Sequence, residues 1–358
     1  MMKIGILGGG QLSRMLALAG IPLGFEFAFY EPNAEHCVPT LGTVIQKPYS
    51  DIEALAAFVD ACDVITYENE NIPVETATLI AKLKPLHPNV LALKSTQDRL
   101  LEKTMFDKLN IQTVPFQKVD SMQDLQSFVD THAFPVVIKK RRQGYDGKGQ
   151  LKLSNKEDFA LITDEFLSNC IVEAYITFDR EVSMIAVRST RGDCRYYDIC
   201  ENEHRKGVLH QTFNKINDSI FDLAKQYIDR IFEELNYVGC LAFEFFQKGD
   251  QLFANELAPR VHNSGHWTLE GAHTSQFENH IRAITDFSLG KTESVSDYQM
   301  INLLGKIPNK ADLLSFEYLH LHDYQKRARA GRKVGHLCLP VNSTTQAYSN
   351  KLLSVLSN

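Results

Sequence analysis

Gln143-Gly-Tyr-Asp-Gly-Lys-Gly-Gln150 is the stretch on which the reading of this chain turns. It follows Phe134-Pro-Val-Val-Ile-Lys-Lys140, a short apolar run ending in two cations. That pattern predicts a buried strand delivering Lys139 or Lys140 to the mouth of a glycine-rich loop. Gly144, Gly147 and Gly149 lack the Cβ that would hold backbone N–H groups away from a polyanion. Lys148 and the strand lysine add positive charge for phosphate oxygens. The spacing matches neither the P-loop G-x-x-x-x-G-K-[ST] nor the kinase G-x-G-x-x-G, so neither mechanism is implied. Taken alone, the loop reads equally as a phosphate cradle and as a glycine-rich hairpin tip.

The 358 residues, 44% apolar and 23% charged, have the balance of a globular chain with two or three cores. A net charge of −6, from 38 cationic and 44 anionic side chains, argues against a broad nucleic-acid surface while leaving room for local basic pockets. Seven cysteines without a C-x-x-C pair suit reduced thiols better than a disulfide framework. No apolar run reaches the ~18–20 residues of a membrane helix. Met2-Lys-Ile-Gly-Ile-Leu leads straight into glycines, unlike a signal peptide. The expectation is a soluble, cytoplasmic α/β protein with neither membrane nor nucleic acid as partner.

Upstream, Lys3-Ile-Gly-Ile-Leu7, Gly8-Gly-Gly10 and Gln11 to Ala19 read as strand, tight turn and helix. Further strands are predicted over 26–30 and 63–67, and helices over 52–62 and 73–83, the last with Pro73 near its start. This β-α-β-α-β rhythm predicts a mostly parallel, doubly wound sheet. Gly8-x-Gly10 before a helix, with Glu31 about twenty residues on, approaches the dinucleotide fingerprint, but Ser13 stands at the third glycine. The turn is an anion seat or simply a bend needing positive φ. Glu68-Asn-Glu70-Asn lies at the carboxyl edge of the sheet, where ligands bind; its acids are ligands for a sugar or amine, or solvated loop carboxylates. A long helix from Ser95 to Leu109, capped by Ser or Thr, is predicted next. The rhythm changes there, placing a boundary near residue 98. Helices over 124–131 and 156–166 and a strand over 170–176 flank the glycine loop.

The densest chemistry lies downstream. Strands over 182–188 and 196–200 bring Glu181 to the start of the first and His204 to a strand end. After a helix over 217–235, Gly239-Cys-Leu-Ala-Phe-Glu244-Phe-Phe and Gln251-Leu-Phe-Ala-Asn255-Glu256 read as a hairpin. Whether Glu244 and Glu256 share a face depends on loop parity; a three- or five-residue loop with a bulge at Gly249 aligns them. A carboxylate inside Ala-Phe-Glu-Phe-Phe is expensive to bury unpaired. Two such acids beside an amide suggest a hard cation, magnesium first, with a salt bridge to Arg260 as the alternative. His262 and His266 lie four apart, but Asn263 stands where H-E-x-x-H needs glutamate, so zinc is not expected. Arg260, His262, Asn263 and Ser264 read as a polar loop gripping a substrate. Lys326 to His336 is a basic turn, either solvated or a grip on a phosphate.

Together these segments resemble the ATP-grasp ligases, and most closely the family of 5-(carboxyamino)imidazole ribonucleotide synthases. The likeness covers nearly the whole chain: Gly8-Gly-Gly-Gln-Leu-x-Arg-Met, Tyr67-Glu-x-Glu-Asn, Lys139-x-Arg-x-x-Gly-Tyr-Asp-Gly-Lys-Gly-Gln, Asn255-Glu-Leu-Ala-Pro-Arg-Val-His-Asn-Ser-Gly-His-Trp and Gly331-Arg-Lys-x-Gly-His. The run through His262-Asn-Ser-Gly-His-Trp267 is its most specific part. Ser13, Asn69 and Gln143 depart from the family's glycine, phenylalanine and glycine.

The resemblance implies an α/β and α+β ATP-grasp architecture: a Rossmann-like pre-ATP-grasp domain (1–98), a central subdomain with the phosphate loop (99–178), a catalytic subdomain (179–290) and a C-terminal extension packed on it (291–358). It assigns ATP to Arg99, Lys139, the loop Gly144, Tyr145, Asp146, Gly147, Lys148, Gly149 and Gln150, the adenine border Glu173, Ala174, Tyr175 and Ile176, the ribose ligand Glu181, and His204, Asn255 and Glu256. It assigns Mg²⁺, or Mn²⁺ in its place, to Glu244 and Glu256. The aminoimidazole ribonucleotide falls to Glu70, Tyr145, Asp146, Arg260, His262 and Asn263, with its 5′-phosphate on Lys326, Arg332 and Lys333. Arg260, Lys139 and Asp146 are the implied catalytic residues. The implied reaction consumes ATP, bicarbonate and 5-aminoimidazole ribonucleotide through carboxyphosphate, in a homodimeric enzyme.

Overall fold

The first sheet is parallel throughout, in the order Thr43–Ile45, Glu26–Tyr30, Lys3–Leu7, Val64–Tyr67. In the computed structural model, which describes residues 1–144, 149–342 and Leu352, both faces of this sheet are covered. Ile4, Ile6, Phe27 and Phe29 enter one core and Leu7, Ala28, Tyr30, Ile65 and Tyr67 another. That explains why its strands read as unbroken apolar runs rather than alternating ones. The expected helix from Ser95 to Leu109 is two helices, Val90–Thr96 and Arg99–Lys108. Asp98 between them is extended, and its carboxylate accepts from the Leu100 N–H at 3.0 Å. Asp98 is therefore the cap, and Ser95 and Thr96 close the preceding helix instead.

The second sheet is antiparallel, in the order Phe116–Val119, Cys170–Ala174, Val136–Lys140, Gln150–Leu153. Its strand Val136–Lys140 is the one predicted to carry the loop lysine. The helix Met122–His132 packs on it, started by a capping box between Ser121 and Asp124. The helix expected over 156–166 is a 3₁₀ stretch, Lys156–Leu161, and a single turn, Asp164–Leu167.

The third sheet has nine strands. From one edge it runs Gln251–Ala258, Gly239–Lys248, Arg180–Arg188, Ile199–Arg205, Val208–Lys215, Tyr298–Leu304, Lys333–Pro340, His320–Asp323, while Cys194–Tyr196 pairs with Arg180–Arg188. The strand expected over 196–200 is thus split, and His204 sits inside its second part. The last three strands of the chain join this sheet by backbone pairing, with Gln211 opposite Ile301. Helix Phe221–Glu234 buries Tyr227, Ile228, Ile231 and Phe232 beneath it, each contributing about 1.5–3 kcal/mol by transfer from water. Helix Gln276–Ile284 lies against Gln11–Gly20, where Ile281 reaches the close packing at Gly20. Polar side chains from strands and connections of all three sheets converge on one cavity.

Candidate active site

Strand parity decides whether the two acids of the hairpin can act together. Lys248 pairs with Gln251, leaving a two-residue turn, with Gly249 at φ +59 in its first central position, as a type II′ turn requires. In an unbroken ladder Glu244 would face Asn255. The register instead shifts next to Glu244, Asn255 becomes the extra residue of a bulge, and Glu244 faces Glu256. The common face is real, but a bulge in the strand makes it, not a longer loop bulged at Gly249.

Glu244 lies 3.2 Å from His262 Nε2 and its side chain is 14% exposed. Burial, and then the charge of Glu256, push its carboxyl up to about 7. Glu256 is also pushed upward by burial, but Arg99 Nη1 donates to its Oε2 at 2.8 Å and, with Lys139 and Arg260, holds it below the ordinary range. Two opposed carboxylates, with the Asn255 amide lining the same cavity, offer a set of oxygen ligands. That set fits a hard divalent cation taking its other oxygens from phosphates and water. Arg260, the alternative partner, is engaged elsewhere: its Nε and Nη2 donate to Glu70 at 2.5 and 3.1 Å.

Of the two strand lysines, Lys139 faces the site. Its Nζ donates to Glu173 Oε2 at 2.7 Å and reaches Asn255 Oδ1 at 3.5 Å. Lys140 turns away to the carbonyls of Glu165, Phe166 and Ser168. Lys139 shares Glu173 with Lys103, whose Nζ is 3.4 Å from Oε1. Burial alone would raise the Glu173 carboxyl, but the Lys103 and Lys139 charges hold it down to about 2. Its side chain faces these lysines, and neither it nor Ala174, Tyr175 and Ile176 lines the central cavity. Tyr175 instead stacks under Lys152 Nζ, 3.7 Å from the ring centre.

That cavity has a volume of about 640 Å³. It is lined by Arg99, Lys139, Gly144 and Gln150, by the paired Glu181 and His204, by Glu244, Asn255 and Glu256, and by Glu70, Arg260, His262, Asn263 and Lys333. Glu181 Oε2 and His204 Nδ1 are 2.5 Å apart. Burial pulls His204 down, yet Glu181 and Glu244 leave it above the ordinary histidine value. Asn263 is held by Asn302 through two amide contacts, 3.0 and 2.8 Å. His262 and His266 diverge: His262 bonds Ser264 Oγ at 2.9 Å, while His266 packs in the core against His336 and Phe277.

Lys326 donates to Gln11, which lines the cavity, and Arg332 Nη1 sits 2.6 Å from Glu35. The basic turn thus docks on the first sheet at the cavity rim. Tyr145, Asp146, Gly147 and Lys148 lie outside the described residues. Gly149, at φ +72, accepts from the Lys140 N–H through its carbonyl at 2.8 Å.

The Gly8–Gly10 turn does hold an anion, but it is the chain's own. Glu68 accepts from the Gly10 N–H at 2.5 Å and the Ser13 N–H at 3.0 Å, and Glu31 from the Gly9 N–H at 2.7 Å. A Cβ on Gly10 would stand 2.6 Å from Glu68 Oε1, so glycine is required by the approach of that carboxylate. A dinucleotide pyrophosphate would need the same N–H groups. The two acids after the strand Val64–Tyr67 both border the cavity, but Glu68 is engaged by the turn's N–H groups and Glu70 by Arg260.

Sequence reasoning missed several contributors. Asp98 receives Arg141 through Nε at 2.9 Å and Nη2 at 2.6 Å, tying the loop's base to the helix that carries Arg99. Glu102, 2% exposed, accepts from the Leu257 N–H at 2.8 Å. Lys103 is wholly buried. The available signal was the i, i+4 spacing of Arg99 and Lys103 on one helix face.

Three domain families match the chain: the ribonucleotide synthetase preATP-grasp domain over residues 1–97, the ATP-grasp domain over 104–277 and the phosphoribosylaminoimidazole carboxylase C-terminal domain over 299–349. The chain is 44% identical over 339 residues to the N5-carboxyaminoimidazole ribonucleotide synthase of Pseudomonas aeruginosa, covering 94% of each. Its fold is similar to the crystal structure of N5-carboxyaminoimidazole ribonucleotide synthetase from Thermus thermophilus, with a TM-score of 0.91 and 43% identity over 96% of this chain and 94% of that one. It is also similar to the N5-carboxyaminoimidazole synthetase of Staphylococcus aureus complexed with ADP, with a TM-score of 0.91 and 33% identity over 98% and 96%.

Proposed function

Because the chain belongs to the N5-carboxyaminoimidazole ribonucleotide synthase family of ATP-grasp ligases, we propose that its central cavity carries out the family's reaction with the residues that line it. The enzyme is a ligase that uses ATP to carboxylate 5-aminoimidazole ribonucleotide in purine biosynthesis. Bicarbonate is the carboxyl donor in this reading, attacking the γ-phosphate to give carboxyphosphate and ADP. The exocyclic amine of the ribonucleotide then takes the carboxyl group, releasing phosphate.

The observation that carries the reading is the meeting, in one cavity, of phosphate-seeking cations, a pair of opposed carboxylates and a separate polar wall. Arg99 and Lys139 hold the nucleotide phosphates together with the 144–150 loop, whose Tyr145, Asp146, Gly147 and Lys148 are assigned by resemblance alone. Glu181 and His204 take the ribose hydroxyls. Glu173 acts on the nucleotide through Lys139, and the backbone of 174–176 borders the adenine. Glu244 and Glu256, with Asn255, would hold Mg²⁺, which when bound neutralises phosphate charge. Arg260, oriented by both oxygens of Glu70, positions bicarbonate and carboxyphosphate. Glu70, His262 and Asn263 receive the aminoimidazole, and Lys326, Arg332 and Lys333 its 5′-phosphate. The protein's contribution is chiefly positioning and charge neutralisation.

No helix among the described residues is long and apolar enough to cross a membrane. The seven free cysteines fit a reducing compartment, and we assign the enzyme to the cytoplasm as a homodimer, which sedimentation at micromolar concentration tests. The division into four domains, with boundaries near 98, 178 and 290, belongs to the same proposal.

The test is phosphate release from ATP with magnesium and bicarbonate, with and without 5-aminoimidazole ribonucleotide, in wild type and Glu256→Gln. Release stimulated by the ribonucleotide and lost in the variant is expected. Release indifferent to the ribonucleotide would move the chain to a sister ligase. Undiminished release in Glu256→Gln would overturn the metal assignment.

A further inference from the structure

Lys103 is a fully buried lysine that touches no part of the cavity. A buried ammonium is retained only where several partners stabilise it. Its Nζ donates to the Ala254 carbonyl at 2.8 Å and pairs with Glu173 Oε1 at 3.4 Å. These two partners stand on different sheets, while Lys103 itself belongs to the helix Arg99–Lys108. One ammonium therefore joins three elements.

What it joins is specific. Glu173 lies opposite Val137, so it shares a face with Lys139 two residues along, and its other oxygen receives Lys139 at 2.7 Å. Ala254 directly precedes the bulged Asn255 and the acid Glu256. One turn before Lys103 on the same helix face, Arg99 reaches Glu256 at 2.8 Å. The lysine thus fixes the strand bearing the phosphate-binding cation relative to the strand bearing the acids. It also takes up part of the Glu173 charge, which would otherwise bear on Lys139 alone.

We propose that Lys103 is a positioning residue for the nucleotide site: it registers the two sheets and shares Glu173, so that Lys139 can leave that carboxylate for a phosphate. The inference rests on the reading of the cavity as an ATP site, not on the identity of the ribonucleotide. With Lys103 gone, Glu173 holds Lys139 as its one close ammonium, and nucleotide binds more weakly. With Glu173 neutralised as well, that competition disappears.

The experiment measures ADP affinity by titration calorimetry, with magnesium, in wild type, Lys103→Met, Lys103→Arg, Glu173→Gln and Lys103→Met/Glu173→Gln, each checked for folding by thermal denaturation. Lys103→Met is expected to weaken ADP binding at least about tenfold, with Lys103→Arg recovering much of it. The double variant is expected to bind within about twofold of Glu173→Gln, the non-additivity of residues acting through one another. A purely structural role would lower the melting temperature without this pattern. Lys103→Met binding as wild type does, or a double variant that loses the same factor again relative to Glu173→Gln, overturns the proposal. If Lys103→Met does not fold alone, the comparison of the double variant with Glu173→Gln decides by the same criterion. Wild type that binds no ADP overturns the ATP-site reading and this inference together, whereas an unaffected Lys103→Met overturns this inference alone.

Discussion

Glu102→Gln is expected to stabilise this protein, by an amount that grows as pH rises from about 5 to about 8. The carboxyl is 2% exposed, and its Oε1 accepts from the Leu257 N–H. Burial dominates and lifts it from 4.5 to about 8, against the opposing pull of Arg99 and of the Leu257 N–H. Between those values the folded protein keeps a proton that the unfolded chain has lost, so stability falls as pH rises through that window. At about 1.4 kcal/mol per pH unit the ceiling is about 5 kcal/mol. Glu102 borders the water-accessible cavity, and water there reduces the effect to about 2 kcal/mol. Glutamine keeps the acceptor for Leu257 and has no proton to lose. Wild type and variant should be equally stable at pH 5, with the variant ahead by about 2 kcal/mol at pH 9. Urea unfolding at pH 5, 7 and 9 reads the gap through the fluorescence of Trp267, the one tryptophan in the sequence and fully buried. A gap that does not change with pH, or a variant less stable at pH 9, would show the folded carboxylate ionised and paired with Arg99, and would refute the reasoning.

Substitutions at three further positions probe the residues around the cavity. Gly10→Ala places a Cβ 2.6 Å from Glu68 Oε1 and should lower stability by about 2–3 kcal/mol by displacing a buried acceptor from two N–H groups; an unchanged melting temperature would mean the carboxylate steps aside freely. Asp98→Ala removes a helix cap and the bidentate partner of Arg141, for a loss of about 2–4 kcal/mol in urea unfolding. Asp98→Asn, which keeps the cap, should recover about 1 kcal/mol, and equal losses would count against the cap. Lys326→Ala should raise the KM for 5-aminoimidazole ribonucleotide roughly tenfold or more, the loss of one charge-assisted phosphate contact, and leave the KM for ATP unchanged; a parallel rise in both would place Lys326 outside the ribonucleotide's phosphate site.

The parallel sheet was legible because strands buried on both faces lack polar alternation, and Lys3–Leu7, Glu26–Tyr30 and Val64–Tyr67 depart from unbroken apolar runs only at Lys3, Glu26 and Thr66. The hairpin was legible because its turn and its acids are local. Its parity was not, since the bulge at Asn255 is fixed by how the neighbouring strand and helix pack, and no residue type in Ala254-Asn-Glu256 announces it. Nor could the sequence choose between Lys139 and Lys140. That choice rests on carbonyls some 25 residues further along, at 165–168, which capture the second lysine. Glu102 and Lys103 look like the solvated face of an ordinary amphipathic helix, and become interior because two sheets close over that helix. The anion at the Gly8–Gly10 turn was foreseen as a class, but nothing in a local motif says that a carboxylate 58 residues away will occupy it.

The pairing of charges across sheets has a consequence for how the site works. Arg99 is held by Glu256, Lys139 by Glu173 and Arg260 by Glu70, each carboxylate coming from a strand or loop other than the cation's own. Before any ligand arrives, then, the cations that face the cavity are already neutralised and already oriented. A phosphate or bicarbonate that binds exchanges one charge-assisted contact for another, so each contact adds little net affinity and much geometric selection. Glu244 breaks the pattern. It meets the Nε2 of His262, which burial holds neutral far below the ordinary histidine value. Glu244, its carboxyl pushed upward beside Glu256, is therefore where a divalent cation brought in with the nucleotide would supply positive charge and draw the acid into its ionised form.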